Sequence, residues 1–274
     1  MESFTFLFGV PGWLVGVLLF VVCVAASEIG YRLGAREIGR GGETREAKGL
    51  SKRDHLGAVQ AVVAALLGLL LAFSVSMAVG RFEDRKAAVV DESNCIGTAY
   101  LRVSLLPEPQ RTEAQPLFKQ YTDVRLELAR PDWFLEGASG LREKAFDLQR
   151  QIWTVGVEAA RLDQRAVTTG LFVSSVNEMI DSAGRRDAGL KNHVPEPVVY
   201  IIFLVALACL GIVGYASGLT GGRSLTATLI IAAVVALVVF VILDFDRPYR
   251  GVITVSQQSL IDLRNSMDLG LPLP

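Results

Sequence analysis

The sequence predicts an all-α membrane protein: four transmembrane helices, with a helical extramembrane bundle between the second and third. Three observations carry this. Four apolar windows, Val10 to Ile29, Leu56 to Val79, Val198 to Tyr215 and Leu225 to Leu243, each come close to the ~20 residues that cross a bilayer. No proline stands between Pro11 and Pro107, so nothing breaks the helix that begins in the second window. The polar stretch 81–197 contains no sustained period-two run of β-branched residues and reads as helix throughout.

The first window carries Glu2 and no Lys or Arg before its apolar core, and it continues past Trp13 and Phe20, which predicts a retained helix and not a cleaved signal peptide. Glu28 to Asp54 follows as a polar link. Its Arg32, Arg36, Arg40, Arg45, Lys48, Lys52 and Arg53 surround Gly39, Gly41 and Gly42, the pattern of a flexible segment at a membrane surface. From His55 to Leu106 the chain then reads as one rod of roughly fifty residues, about 75 Å long and more than twice the ~30 Å hydrocarbon core. It leaves the membrane at Arg81-Phe82-Glu83-Asp84-Arg85-Lys86, and Val89, Ile96, Tyr100 and Val103 form an apolar stripe beyond that point.

Pro107 and Pro109 end the rod. Three further helices complete the polar region. Gln110 to Ala129 carries Leu117, Tyr121, Val124 and Leu128, with Pro116 either opening its main body or kinking it, and Arg130-Pro131-Asp132 breaks it. Leu141 to Arg165 carries Phe146, Ile152, Trp153 and Val157, and Leu171 to Ile180 runs towards Gly184. Gly218 to Arg223 is short, so the last two spans form a hairpin. In the tail, Ser256 is placed to cap an amphipathic helix with Leu260, Leu263 and Met267. The organisation is therefore 1–80, two spans and their link; 81–197, the helical region; 198–243, the hairpin; and 244–274, the tail.

Composition narrows the chemistry. The two histidines, His55 and His193, are too few for a His-based metal site or a catalytic triad. The three cysteines have no metal-ligand spacing, and no glycine-rich phosphate loop follows a strand. Basic and acidic residues are interleaved around a net charge of -1, which argues against a nucleic-acid surface. No enzyme and no cofactor are predicted.

The second window holds two stripes. Gly57, Ala61, Ala65, Gly68, Ala72, Ser76 and Gly80 recur every three or four residues, a face along which another backbone can approach closely. Beside it Leu69, Phe73 and Met77 form a line of large apolar side chains, which by periodicity alone fits lipid contact or core packing.

Gly68-Leu69-Leu70-Leu71-Ala72-Phe73 with its charged exit resembles the pore-lining helix of bacterial bestrophins. Arg81 to Lys86, the run from Glu92 through Ile96 to Arg102, and Asp244-Phe245-Asp246-Arg247-Pro248 with Gly251 through Gln257 resemble the bacterial bestrophin-like membrane proteins. The resemblance covers about Leu56 to Gln257 and implies a pentameric ion channel, multi-pass in the bacterial cytoplasmic membrane. In it Leu69, Phe73 and Met77 form a hydrophobic neck, and Arg81, Asp84 and Asp91 or Glu92 are charges at the pore exit. Its implied partners are the lipid bilayer, other copies of the chain and small inorganic ions. The calcium clasp of eukaryotic bestrophins is not implied, because Asp244 and Asp246 are too few oxygen ligands. The resemblance puts the helical region and both termini in the cytoplasm, whereas the Lys and Arg count puts the 28–54 link there. The alternative function is a non-conducting membrane scaffold or sensor whose helical region docks partners.

Overall fold

The computed structural model describes residues 10–39, 46–130, 139–222, 224–249 and 251–269. Among them are eight α-helices and no strand. These are α1 Gly12–Gly39, α2 Glu46–Arg102, α3 Gln110–Glu127, α4 Ser139–Leu162, α5 Leu171–Lys191, α6 Glu196–Thr220, α7 Leu225–Phe245 and α8 Gln258–Leu269. Four helical stretches are long and apolar enough to cross a membrane. The chain divides into two compact units, Met1–Gly80 with His193–Arg247, and Arg81–Asn192 with Pro248–Pro274.

In the first unit α1, α6, α7 and the first part of α2 enclose Leu19, Cys23, Leu67, Ile202, Ala206, Leu210 and Val239. The tightest seam joins α1 to α6. A Cβ at Gly214 would collide with the Ser27 carbonyl, and one at Gly30 would collide with the Gly211 carbonyl; Gly34 and Gly218 are equally confined. Glycines there let the two backbones touch. Gly221, at φ 69°, ends α6 in the left-handed conformation that a side chain would strain. The ends of this unit are tied by polar contacts: Asp246 accepts the Val194 N–H at 2.9 Å and lies 3.2 Å from His193 Nδ1, and Arg247 donates to the Val10 carbonyl.

The second unit is a helical bundle. Val89, Ile96 and Val103 of α2 and its following turn meet Phe118, Tyr121 and Val124 of α3, Leu148 and Ile152 of α4, and Phe172 and Met179 of α5. Phe118 stands edge-on to both Tyr100 and Phe172. The α8 residues Leu260, Leu263 and Met267 are buried in the same core, and Ser256 Oγ accepts the Gln258 N–H at 3.2 Å ahead of that helix.

Several expectations shift. The 28–54 link is helical through Gly39 and again from Glu46, because it has no proline and its Glu28–Arg32 pair supports the turn. Helix α5 continues past Gly184 to Lys191; an exposed glycine weakens a helix by only ~1 kcal/mol. On α4 the buried stripe is Ala145, Leu148, Ile152, Val155 and Ala159, one register away from Phe146 and Trp153, both of which are exposed. Gly41 and Gly42 of the flexible segment expected in that link, and the break at Pro131 and Asp132, lie outside the described residues.

Candidate functional site

The first 35 residues of α2, Glu46 to Gly80, belong to the membrane unit, and from His55 onwards they bury one face only. Leu67, Ser74 and Ala78 point inward, with Ser74 Oγ donating to the Leu70 carbonyl at 2.8 Å. The opposite face holds both stripes. Leu69 is 53% exposed, Phe73 64% and Met77 36%. Gly57, Ala61, Ala65, Gly68, Ala72, Ser76 and Gly80 are exposed as well. A Cβ added at Gly57, Gly68 or Gly80 would meet nothing within 4 Å. The small-residue stripe is therefore not a seam within the protomer. That role falls to Gly30, Gly34, Gly214 and Gly218, whose spacing of four was equally visible in the sequence.

In the second unit α2 carries the four exit charges to different places. Asp84 and Asp91 are exposed, and Asp91 accepts a hydrogen bond from Arg185 at 2.9 Å. The Arg185 guanidinium is held above its ordinary range by that hydrogen bond and a second to Glu178. Arg81 is half-buried, and its Nη1 has no hydrogen-bond partner among the described residues.

Glu92 corrects the expectation of an exit charge, because it is fully buried between two arginines of other helices. Arg186 Nη1 donates to its Oε2. Arg125 Nε lies 2.5 Å from its Oε1 without hydrogen-bond alignment, so that contact is an ion pair by proximity. Arg125 also reaches Asp187 at 3.0 Å, and Arg186 donates to Gln257 at 2.7 Å. Burial is the largest single influence and lowers both guanidinium pKa values, but Glu92, joined by Tyr121 and Asp187 at Arg125 and by Tyr249 at Arg186, more than offsets it, and both are raised. This cluster joins α2, α3, α5 and the segment ahead of α8. Arg186 stands 94 positions from Glu92, so no local spacing announces the pair.

The Ile96 to Arg102 block is also internal in the main. Ile96 and Ala99 are fully buried, and Arg102 Nη1 donates to the Leu171 carbonyl at 3.0 Å. No group of three or more His, Cys, Asp or Glu able to hold a metal occurs among the described residues.

A family model described as Bestrophin-like domain matches residues 43–260. The chain belongs to the bestrophin-like family. The fold agrees. The crystal structure of a point-substituted membrane protein aligns at TM-score 0.63 with 12% identity, over 92% of this chain and 97% of its own. A point-substituted bacterial Bestrophin homolog from Klebsiella pneumoniae aligns at TM-score 0.61 with 11% identity, over 91% of this chain and 98% of its own. A second substituted form of that homolog aligns at TM-score 0.63 with 12% identity, over 92% and 97%. At such identities the likeness is one of fold. No curated protein matches the bestrophin-like chain significantly.

Proposed function

We propose that the chain is one subunit of a homopentameric ion channel in the bacterial cytoplasmic membrane, with five α2 helices around one axial pathway. The observation that carries this is the open face of α2. Only 17% of its most apolar window is buried, against 28% to 33% for the other spans. Lipid contact alone accounts poorly for that face, because a long stripe of small residues is characteristic of helix packing between proteins. In a ring, the small residues receive the neighbouring subunit while Leu69, Phe73 and Met77 point to the axis and form an apolar constriction that gates by dewetting.

With Glu92 internal and Arg81 half-buried, Asp84 and Asp91 are the exposed charges that remain of the four expected at the exit. Because the Arg185 guanidinium offsets Asp91, Asp84 is the acid that favours permeation by cations. Purified protein in planar bilayers should give unitary currents, and Phe73→Ala with Met77→Ala should raise conductance or open probability several-fold. Asp84→Asn with Asp91→Asn should move the reversal potential away from that of a cation-selective pore. Silent bilayers from verified pentamers would sink the proposal.

One observation favours a non-conducting scaffold instead: Phe146 is 65% exposed and Trp153 38% on α4 of the bundle. That reading expects partner capture to depend on these two side chains and to ignore substitutions at Phe73.

A further inference from the structure

The bundle unit leaves two complementary patches open, on different helices. The first is a hollow of about 410 Å³ on α2, lined by Glu83, Lys86, Ala87, Val90, Asp91 and Asn94. Glu83, Ala87, Val90 and Asn94 follow Ala72, Ser76 and Gly80 at steps of three or four residues along one unbroken helix, so the hollow prolongs the small-residue stripe. Ala87 and Val90 give it an apolar floor, and Glu83 and Asp91 flank that floor.

The second patch is the outer face of α4. Ala145, Leu148 and Ile152 turn towards the core, which leaves Arg142, Phe146, Arg150 and Trp153 in one exposed stripe at steps of three or four. Phe146 and Trp153 are the exposed aromatic side chains among the described residues of this unit. Aromatic and arginine side chains are the usual anchors of protein interfaces.

The patches share a pitch. Glu83 and Asp91 are eight residues apart, and so are Arg142 and Arg150. Eight helical residues rise about 12 Å. Ala87 lies midway between the two acids, and Phe146 lies midway between the two arginines. Laid along each other in either direction, the helices therefore bring both pairs of opposite charges together and set Phe146 over the small side chain of Ala87. The partners these charges have within the protomer are Lys86 for Glu83, Arg185 for Asp91 and Asp147 for Arg150. All are exposed pairs that water screens, so they hold the side chains back little.

A closed ring of more than two copies needs a heterologous contact, in which two different patches of the chain meet. The hollow lies in line with the face that already receives the neighbouring subunit, and the same chain carries the stripe that fits it. The fitting occupant is therefore a second copy.

We propose that α4 of one subunit docks into the α2 hollow of the next, with Phe146 over Ala87 and with Arg142 and Arg150 at Glu83 and Asp91. The proposal rests on the pentameric reading and extends the ring contact from the membrane unit to the bundle. Full-length protein carrying Ala87→Cys, Phe146→Cys and Cys95→Ser would be sized by native mass spectrometry and then oxidised with copper phenanthroline. Non-reducing gels should show a ladder of linked chains up to the pentamer, which neither Ala87→Cys nor Phe146→Cys gives alone. Arg142→Glu with Arg150→Glu should lower the pentamer fraction about fivefold with helicity unchanged, and adding Glu83→Arg with Asp91→Arg should restore it. Pentamers that give no ladder, or that ignore the charge reversal, would overturn the docking and leave the ring in place. Monomers from the natural chain would overturn both.

Discussion

Glu92 shows how much one side chain decides at the scale of the residue. Its single charge is shared by two guanidinium groups that are each only 4% exposed, with Asp187 as the second anion at Arg125. Removing one partner from a buried ion cluster leaves the others without compensation, at a cost of roughly 3–5 kcal/mol. Glu92→Gln should therefore lower Tm by many degrees and expose the bundle to protease, as thermal scans and limited proteolysis in detergent would show. Its neighbour Asp91 forms an exposed pair with Arg185, which water screens so that it adds little to stability. Asp91→Asn should leave Tm nearly unchanged, and an equal loss from both variants would refute the distinction. Adjacent acids look alike in a sequence; only the helices that pack around them separate their roles.

Cys95 offers a pH-dependent readout in the same bundle. Burial pushes its thiol pKa above the ordinary 9.0; the Asp91 and Glu178 carboxylates add to this and a hydrogen bond with Ser182 opposes it. The folded protein thus prefers the protonated thiol. Its contribution to stability is present below pH 9.0 and fades as the pH rises through the higher folded value. Maleimide should modify Cys95 more slowly at pH 8 than after unfolding, with the gap narrowing only at strongly alkaline pH. Equal rates at pH 8 would show that the thiol is not perturbed.

At the scale of the element, the helices were legible where apolar runs were long or where proline stood at their ends. Spacing places Val89, Ile96 and Val103, and likewise Leu260, Leu263 and Met267, on buried faces, and they are buried. It fails on α4, where large Phe146 and Trp153 draw attention from the smaller residues that pack inward. It also favours the wrong glycines for a close approach, since a stripe says that contact is possible but not whether the same chain provides it. Gly214→Val tests the difference. Its side chain meets the Ser27 carbonyl, so α1 and α6 must part and stability should fall by about 3 kcal/mol or more. Gly57→Ala meets open space and should be neutral or stabilising by up to ~1 kcal/mol in the isolated protomer. Chemical denaturation of both variants would decide, and a tolerant Gly214→Val would argue against the seam.

At the scale of the whole molecule, the candidate site was only half legible. The sequence marked Leu69, Phe73 and Met77 as a line of large residues, and the protomer leaves that line exposed. Whether five copies close around it is not written in one chain, because the surfaces that would meet are satisfied only by other copies. Native mass spectrometry of the purified protein should show pentamers. Gly68→Leu, harmless inside a protomer with nothing near that position, should shift them to smaller species while helicity stays the same. Monomers or dimers from the natural chain would remove the axial pathway.

The glycine seam also bears on how the protein is made. Helix α1 is synthesised early, but the surface shaped to receive it belongs to α6, which leaves the ribosome only after the bundle's helices α3 to α5. Until then the backbone at Gly30 and Gly34 lacks the α6 backbone that it meets in the folded chain. The membrane unit therefore closes late in translation, after most of the bundle's chain has been made.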